Sequence, residues 1–355
     1  MDADQTEELR SRVSAAAAQG QPLEIRGGGS KAFYGHVASD AEVLDVGGHQ
    51  GVLDYEPSEL VITVRGGTPL ATVEAVLAES GQMLPFEPPR FGGNATIGGA
   101  VAAGLSGPGR PWRGAVRDVL LGVRVLDGRA RLLRFGGQVM KNVAGYDLSR
   151  LMAGAMGTLG VLLEVSLRVA PLPRTERTLA LDIGPGAAQD LLRELRSRPV
   201  PVSAACFVQE RLYLRLAGHG SVLDAFHADN GGGWMDNDQD FWQRLRDHSL
   251  PFFDSGQSLW RLSVPPDTRP LDFADDWLVD WGGAQHWIHT SAAADSVRTR
   301  VSALGGHAEL FRTGQTADAG TFHPLGDELA GLHRRLKSVF DPAGVLNPGR
   351  MYAGW

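Results

Sequence analysis

The 355-residue sequence predicts an α+β protein in two parts, and three observations carry that reading. Glycine is dense as far as Pro171 and Pro173 and thins out beyond them. Short strand-like runs mix with helix-like ones, and the turn signal Asp127-Gly128 makes the strands around it antiparallel. Most tryptophans follow the double proline, where strand and helix patterns alternate as in one antiparallel sheet covered by helices. We therefore expect a first domain over 1–173, an antiparallel-sheet α+β cap over 174–335 and a C-terminal segment over 336–355.

Taken in order, Glu7 to Ala18 has the spacing of an amphipathic helix closed by Gly20. Leu23 to Arg26 reads as a strand that runs into Gly27, Gly28, Gly29 and Ser30, and Val43 to Val46 as another ending at Gly47-Gly48. After the strand Leu60 to Arg65, Thr68 is expected to cap a helix with Pro69 at its first position and Gly81 at its end. A glycine-dense loop from Pro85 to Arg113 is broken by a short helix starting near Thr96. Val116 to Leu126 alternates as a single strand, Ala130 to Phe135 returns beside it, and Leu159 to Val169 forms a long strand. In the cap, strands are expected over Leu179 to Ile183, Leu212 to Leu216, Leu259 to Val264, Gln285 to His289 and Ala308 to Arg312. Ala187 to Arg198, Val222 to Ala228 and Ala292 to Leu304 read as helices, and Leu325 to Val339 as the last one.

Composition excludes several classes. The net charge is −7, from 34 basic and 41 acidic residues, and no basic cluster is longer than Arg334-Arg335, so there is no footprint for nucleic acid. The single cysteine, Cys206, rules out an internal disulfide or a four-cysteine iron–sulfur or zinc site from this chain alone. It lies in the apolar run Ala204 to Val208 and is expected to be buried and inert. The N-terminus is an acidic helix-like start, and no stretch approaches the ~20 apolar residues of a membrane span. The chain is read as cytoplasmic, with any contact at the inner membrane made through partners.

Three glycine segments carry the chemistry. In RGGGSKAFYG (Arg26 to Gly35), a strand followed by consecutive glycines leaves backbone N–H groups open to an anion. Its letters fit a permissive GxGxxA pattern at Gly27, Gly29 and Ala32, but Tyr34-Gly35 and HVASD deny it the long helix that a Rossmann turn must open. In FGGNATIGGAVAAGLSGPGRPWRG (Phe91 to Gly114), Thr96 before Ile97-Gly98-Gly99 sets a hydroxyl and several N–H groups at a helix start, which suits a diphosphate. In the third, Gly145 to Pro173, Gly154, Gly157 and Gly160 precede a leucine- and valine-rich strand, where a flat ring could lie against main chain. A structural turn is the alternative explanation of the first and a close crossing of backbones that of the second, and no single segment identifies a cofactor.

In this order the segments resemble the FAD-binding PCMH-type domain of the vanillyl-alcohol-oxidase superfamily. PFEPPRFGGNATIGGAVAAGLSGPGRPWRGAVRDVLLGVRVLDG, QVMKNVAGYDLSRLMAGAMGTLG, SLWRLSVPP and LHRRLKSVFDPAGVLNPGRMY are similar to the GlcE family, the shorter flavin subunits of bacterial glycolate oxidase. The resemblance implies two α+β subdomains (about 1–50 and 51–173) with FAD extended between them, and FDPAGVLNPGRMY returning to the flavin. It assigns the pyrophosphate to Gly27, Gly28, Gly29, Ser30, Thr96, Gly98 and Gly99. Arg26, Lys31, Gly92, Gly93, Ile97, Gly107, Arg113 and Gly114 join the cofactor-binding set. Gly157, Gly160 and Val161 would lie near the adenine or ribitol, and Asn347 near the isoalloxazine. Partners would be a GlcD-type flavin subunit and a GlcF-type iron–sulfur subunit, with glycolate as the small-molecule substrate.

Departures from the wider family matter too. Lys31 follows Ser30 where some members carry the histidine that attaches flavin, so FAD should be non-covalent. No HxH metal pair occurs, and His286 and His289, three apart on a strand, face opposite ways and read as one packed and one exposed histidine. Arg312, at the end of a cap strand, could meet a carboxylate, though a surface arginine is the preferred reading. With no catalytic residue or metal ligand identified, oxidation of glycolate to glyoxylate would fall to, or be shared with, the partner flavin subunit. A self-sufficient FAD oxidoreductase for another small hydroxy acid or alcohol, and a non-catalytic flavin subunit, stay open as alternatives.

Overall fold

A computed structural model of the chain describes residues 3–36, 40–137, 147–269, 271–314 and 320–354. Two compact units emerge: Met1–Ser106, Gly114–Leu172 and Pro324–Trp355 form the first, Gly107–Arg113 and Pro173–His323 the second. The return to the first unit thus starts at Pro324 rather than 336, because the helix Asp327–Phe340 buries Phe340 in the first unit's core.

In the first unit the helix Thr6–Gln19 buries Leu9, Val13 and Ala16 at helical spacing and ends on Gly20, whose φ of +67° suits a residue without Cβ. That face packs on Leu23, Leu44, Val161 and Leu346. Strands β1 (Leu23–Arg26) and β2 (Glu42–Asp45) pair in parallel. Residues 30–36 form turns rather than a helix, so the Rossmann pattern in the first glycine loop is not realised. β3 (Val52–Glu56), β4 (Val61–Arg65), β6 (Leu120–Leu126), β7 (Leu132–Gly136) and β8 (Val161–Arg168) form an antiparallel sheet in the order β3-β4-β8-β6-β7, with β5 (Gln82–Met83) pairing β9 (Ala170–Pro171) beside it. Its core joins Ile62, Val64, Val123, Val125, Val165 and Leu167 to Leu70, Val73 and Leu77 of the helix Leu70–Glu79 and to Ile97 and Val101 of the helix Ile97–Ala103.

Three local expectations change. Thr68 does not cap the helix: its hydroxyl donates to the Arg65 carbonyl (2.7 Å) and accepts from Gly51 N (3.0 Å), leaving Pro69 at the cap position. Val116–Val119 is helical rather than extended, since the Asp118 carboxylate accepts from Ala115 N (2.8 Å) and stabilises a first turn. β3 was not anticipated; it is a largely exposed edge strand without apolar alternation.

The second unit is one antiparallel sheet, as the cap pattern led us to expect, but with eight strands rather than the five anticipated, the additional ones being Val202–Val208, Gly233–Trp234 and Asp276–Asp280. β10 (Thr175–Leu181), β11 (Val202–Val208), β12 (Arg211–Gly218), β13 (Gly233–Trp234), β14 (Leu259–Ser263), β15 (Asp276–Asp280), β16 (Gln285–His289) and β17 (His307–Arg312) lie in the order β13-β10-β12-β11-β15-β16-β14-β17, every pairing antiparallel. The helices Pro185–Arg196, through Ala188, Leu192 and Leu195, and Ala294–Ala303, through Val297 and Val301, cover one face. Trp242, Trp260, Trp281 and Trp287 are buried, so most cap tryptophans serve as core. Cys206 is buried and its thiol is pushed well above the usual range by desolvation, which makes it inert as expected. Arg312 is half-buried rather than a surface residue. Among the described residues no helix is long and apolar enough to cross a membrane.

Neither His286 nor His289 is exposed; both are 1% accessible. The turn Pro251–Phe253 covers His289, whose ring bonds the Ser255 hydroxyl and the Phe252 carbonyl (2.9 Å each), and burial pushes the His286 pKa down to about 4. His286 therefore stays neutral when folded but titrates near 6.5 when unfolded. Its contribution is full above that pH and is lost as pH falls towards 4, by up to about 3 kcal/mol. Denaturant titrations at pH 7 and pH 4.5 should show His286→Leu losing less stability on acidification than the parent chain; an equal loss would contradict the assignment.

Candidate cofactor site

β1 delivers the chain to Gly27, Gly28 and Gly29, and Ala32 N closes a turn onto the Gly29 carbonyl (3.0 Å) with Gly29 at φ +71°. The second glycine segment lies directly against this turn. A Cβ on Gly28 would strike the Asn94 carbonyl oxygen, and one on Gly27 the Thr96 hydroxyl, so only glycine lets the loops meet. Thr96 caps the helix Ile97–Ala103, its hydroxyl accepting from Gly99 N (3.3 Å).

A third wall comes from the C-terminus. Asn347 N donates to the Leu23 carbonyl (2.9 Å), Asn347 Oδ1 accepts from Ile25 N (2.7 Å), and Asn347 Nδ2 donates to the Met156 carbonyl (2.6 Å). Arg350 donates to the Lys31 carbonyl (3.0 Å), and His36 N to the Arg350 carbonyl (3.0 Å). The tail is thereby fastened to β1, to the turn after it and to the loop around Met156.

These walls border a solvent-open cleft lined by Glu24 to Ala32, Thr96, Gly99, Ala102, Ala103, Met156, Asn347 and Arg350. Three cations, Arg26, Lys31 and Arg350, face it against one carboxylate, Glu24, which is already paired with Arg26 (2.6 Å). Burial pulls Arg350 down from the usual arginine range, with Glu24 opposing and Arg26 adding to the shift. A cationic cleft with a glycine turn and a capped helix start can hold a diphosphate, and its apolar wall of Ile25, Ala102, Ala103 and Met156 can meet an adjoining ring.

Of the residues expected from sequence, Arg26, Gly27, Gly28, Gly29, Ser30, Lys31, Thr96, Gly99 and Asn347 come together here. Gly157 lies next to it, its Cα side facing Asn347 Nδ2. The others are placed elsewhere. Ile97 is core, and Gly98 lets its helix approach the Gly66 carbonyl (2.7 Å to a built Cβ). Gly92 and Gly93 border open space, Gly114 sits beside Asp118, Gly160 lies against Val125 and Leu126, and Val161 is buried beneath the first helix. Gly107 and Arg113 belong to the second unit, where the Gly107 carbonyl accepts from the Trp281 indole (3.0 Å) and Arg113 pairs with Glu176. Residues 138–146, including Gly145 at the start of the third segment, lie outside the described residues. Sequence reading missed Glu24, Ile25, Ala32, Ala102, Ala103, Met156 and Arg350. Among the described residues no group of three or more His, Cys, Asp or Glu could hold a metal ion.

The fold of the first unit and its cationic cleft suit a nucleotide cofactor, and a family model described as an FAD binding domain matches residues 2–136. Glycolate oxidase subunit GlcE of Escherichia coli (strain K12) is 45% identical over 352 residues, 99% of each chain. The chain belongs to the GlcE family of glycolate oxidase subunits and carries an FAD-binding domain. More distant are D-2-hydroxyglutarate dehydrogenase of Xanthomonas citri pv. viticola (32% identity; 49% of this chain, 37% of that one) and glycolate oxidase subunit GlcD of Bacillus subtilis (29%; 49% and 37%). Among solved structures, alkyldihydroxyacetonephosphate synthase shares the fold, with a TM-score of 0.68 at 16% identity over 96% of this chain and 74% of that one.

Proposed function

We propose that the chain is the FAD-binding subunit of a complex that oxidises glycolate to glyoxylate and passes the electrons to a GlcF-type iron–sulfur partner. The cationic, glycine-walled cleft is the observation that carries it, read together with the likeness to GlcE along the whole chain. Arg26, Lys31 and Arg350 would neutralise the cofactor's diphosphate, with the Gly27–Ser30 turn and the Thr96-capped helix start offering N–H groups to it. Bound FAD supplies the acceptor for the two electrons that leave glycolate, together with two protons, when the aldehyde forms. Lys31 in place of a histidine keeps the attachment non-covalent. With Cys206 as its single cysteine the chain could not supply a four-cysteine cluster, so in this reading the cluster belongs to the partner.

A shared site is favoured over a self-sufficient enzyme by the likeness along the whole chain to GlcE, which is a subunit of glycolate oxidase. We infer that a GlcD-type flavin subunit supplies or completes the glycolate site, in the cytoplasm or at the inner membrane through the partners. Purification from the native host should bring down a second flavin subunit and an iron–sulfur subunit. The isolated chain should reduce a dye acceptor with glycolate far more slowly than that assembly. Turnover by the isolated chain at the assembly's full rate would overturn this reading.

A further inference from the structure

Lys337 does not line the cleft, but it is bonded to the tail residue that precedes Asn347 and to the loop that carries Met156. It is 6% exposed, on the last turn of the helix Asp327–Phe340. Its ammonium donates to the carbonyls of Thr158 (2.9 Å) and Leu346 (2.6 Å) and to the Asp341 carboxylate (2.7 Å). That carboxylate accepts in turn from Val345 N (3.2 Å) and Leu346 N (2.7 Å), which curls 341–346 into a closed loop around the charge. A buried ammonium has three protons to place, and here each has an acceptor.

The acceptors are what give the arrangement its consequence. Thr158 is two residues from Met156, and Leu346 is the residue before Asn347. The clip therefore pins the loop 154–160 to the tail at the step before Asn347 bridges Met156 and Ile25, and Arg350 fastens to Lys31 shortly after. Met156, Ile25, Lys31, Asn347 and Arg350 all line the cleft. Loss of the clip would leave the tail's wall held by the bonds of Asn347 and Arg350 alone, and so less firmly placed against Met156, Ile25 and Lys31.

We propose that Lys337 is a positioning residue for the cofactor, coupling docking of the C-terminal tail to occupation of the cleft. The proposal rests on the FAD reading of that cleft. A merely structural lysine would act on folding stability and leave the affinity of the folded protein alone; a positioning residue acts on affinity even when stability is restored.

Two variants separate these. Lys337→Met leaves Asp341 buried and uncompensated, and should destabilise the fold. Lys337→Met/Asp341→Asn removes the orphaned charge and should recover much of that stability, but the Thr158 and Leu346 carbonyls still lack their donor. We expect FAD titrated into apoprotein to bind about tenfold more weakly in both variants, as when the tail is docked in only about a tenth of the molecules. In the parent chain, hydrogen exchange over 341–350 should slow when FAD is added. Affinity that recovers together with stability in the double variant, or tail exchange indifferent to FAD, overturns the proposal. A parent chain that takes up no FAD overturns the cleft reading, and this one with it.

Discussion

Gly28→Ala is expected to yield a chain that retains no FAD and melts at clearly lower temperature. The reason is steric alone, since Gly28 does not need a left-handed backbone: its added methyl would be driven into the Asn94 carbonyl. Backbone cannot rotate away as a side chain can, so the two glycine loops must part. Overpacking of this kind costs about 1–3 kcal/mol, and more where main chain has to move. Parting the loops also separates the Gly27–Ser30 turn from Thr96, both of which line the cleft. Gly186→Ala, near the start of the helix Pro185–Arg196 with no atom within 4 Å of its added Cβ, serves as the control and should melt at the same temperature or slightly higher. Flavin content and melting temperature unchanged in Gly28→Ala would show that the loops do not pack as described.

Asn347→Ala should be the next most damaging change. It removes two hydrogen bonds and leaves the Met156 carbonyl and the Ile25 N–H without their partner. Each polar group stranded away from water costs about 1–3 kcal/mol. Asn347 also sits at φ +42°, a region asparagine tolerates better than alanine does, which adds to the loss. Asn347→Asp tells the two halves apart: it keeps an acceptor for Ile25 N but sets a carboxylate oxygen against the Met156 carbonyl. Denaturant unfolding should rank the parent chain above both variants, and both should retain less FAD. Parent-like stability in Asn347→Ala would mean that the tail is not fastened there.

How far sequence reaches is clear from the elements themselves. The glycine loops were legible because runs such as Gly27 to Gly29 have few uses, and Thr96 announced its helix by being a capping residue before small ones. The cap sheet was legible where apolar alternation is strong, as in Leu259–Ser263, but β15 (DWLVD) is bounded by acids and the helix Asp238–Arg246 is dominated by polar residues, so both escaped. Glycines proved ambiguous for a physical reason. Gly98 and Gly160 lack a side chain because Gly66 and Val125 lie against them, a constraint indistinguishable in sequence from the approach of a phosphate. Arg350 and Lys337 were missed for the opposite reason: each is an ordinary basic residue until the chain folds back over some 180 to 320 positions to bring it to Thr158 or Lys31.

The most direct measurement is the flavin itself. The chain, purified alone and without added cofactor, should show the absorbance bands of an oxidised flavin. Precipitation by acid should release that flavin into the supernatant as intact FAD, with one equivalent per chain. A colourless chain that cannot be reconstituted with FAD would contradict the account of the cleft, and flavin that stays with the precipitated polypeptide would contradict non-covalent attachment.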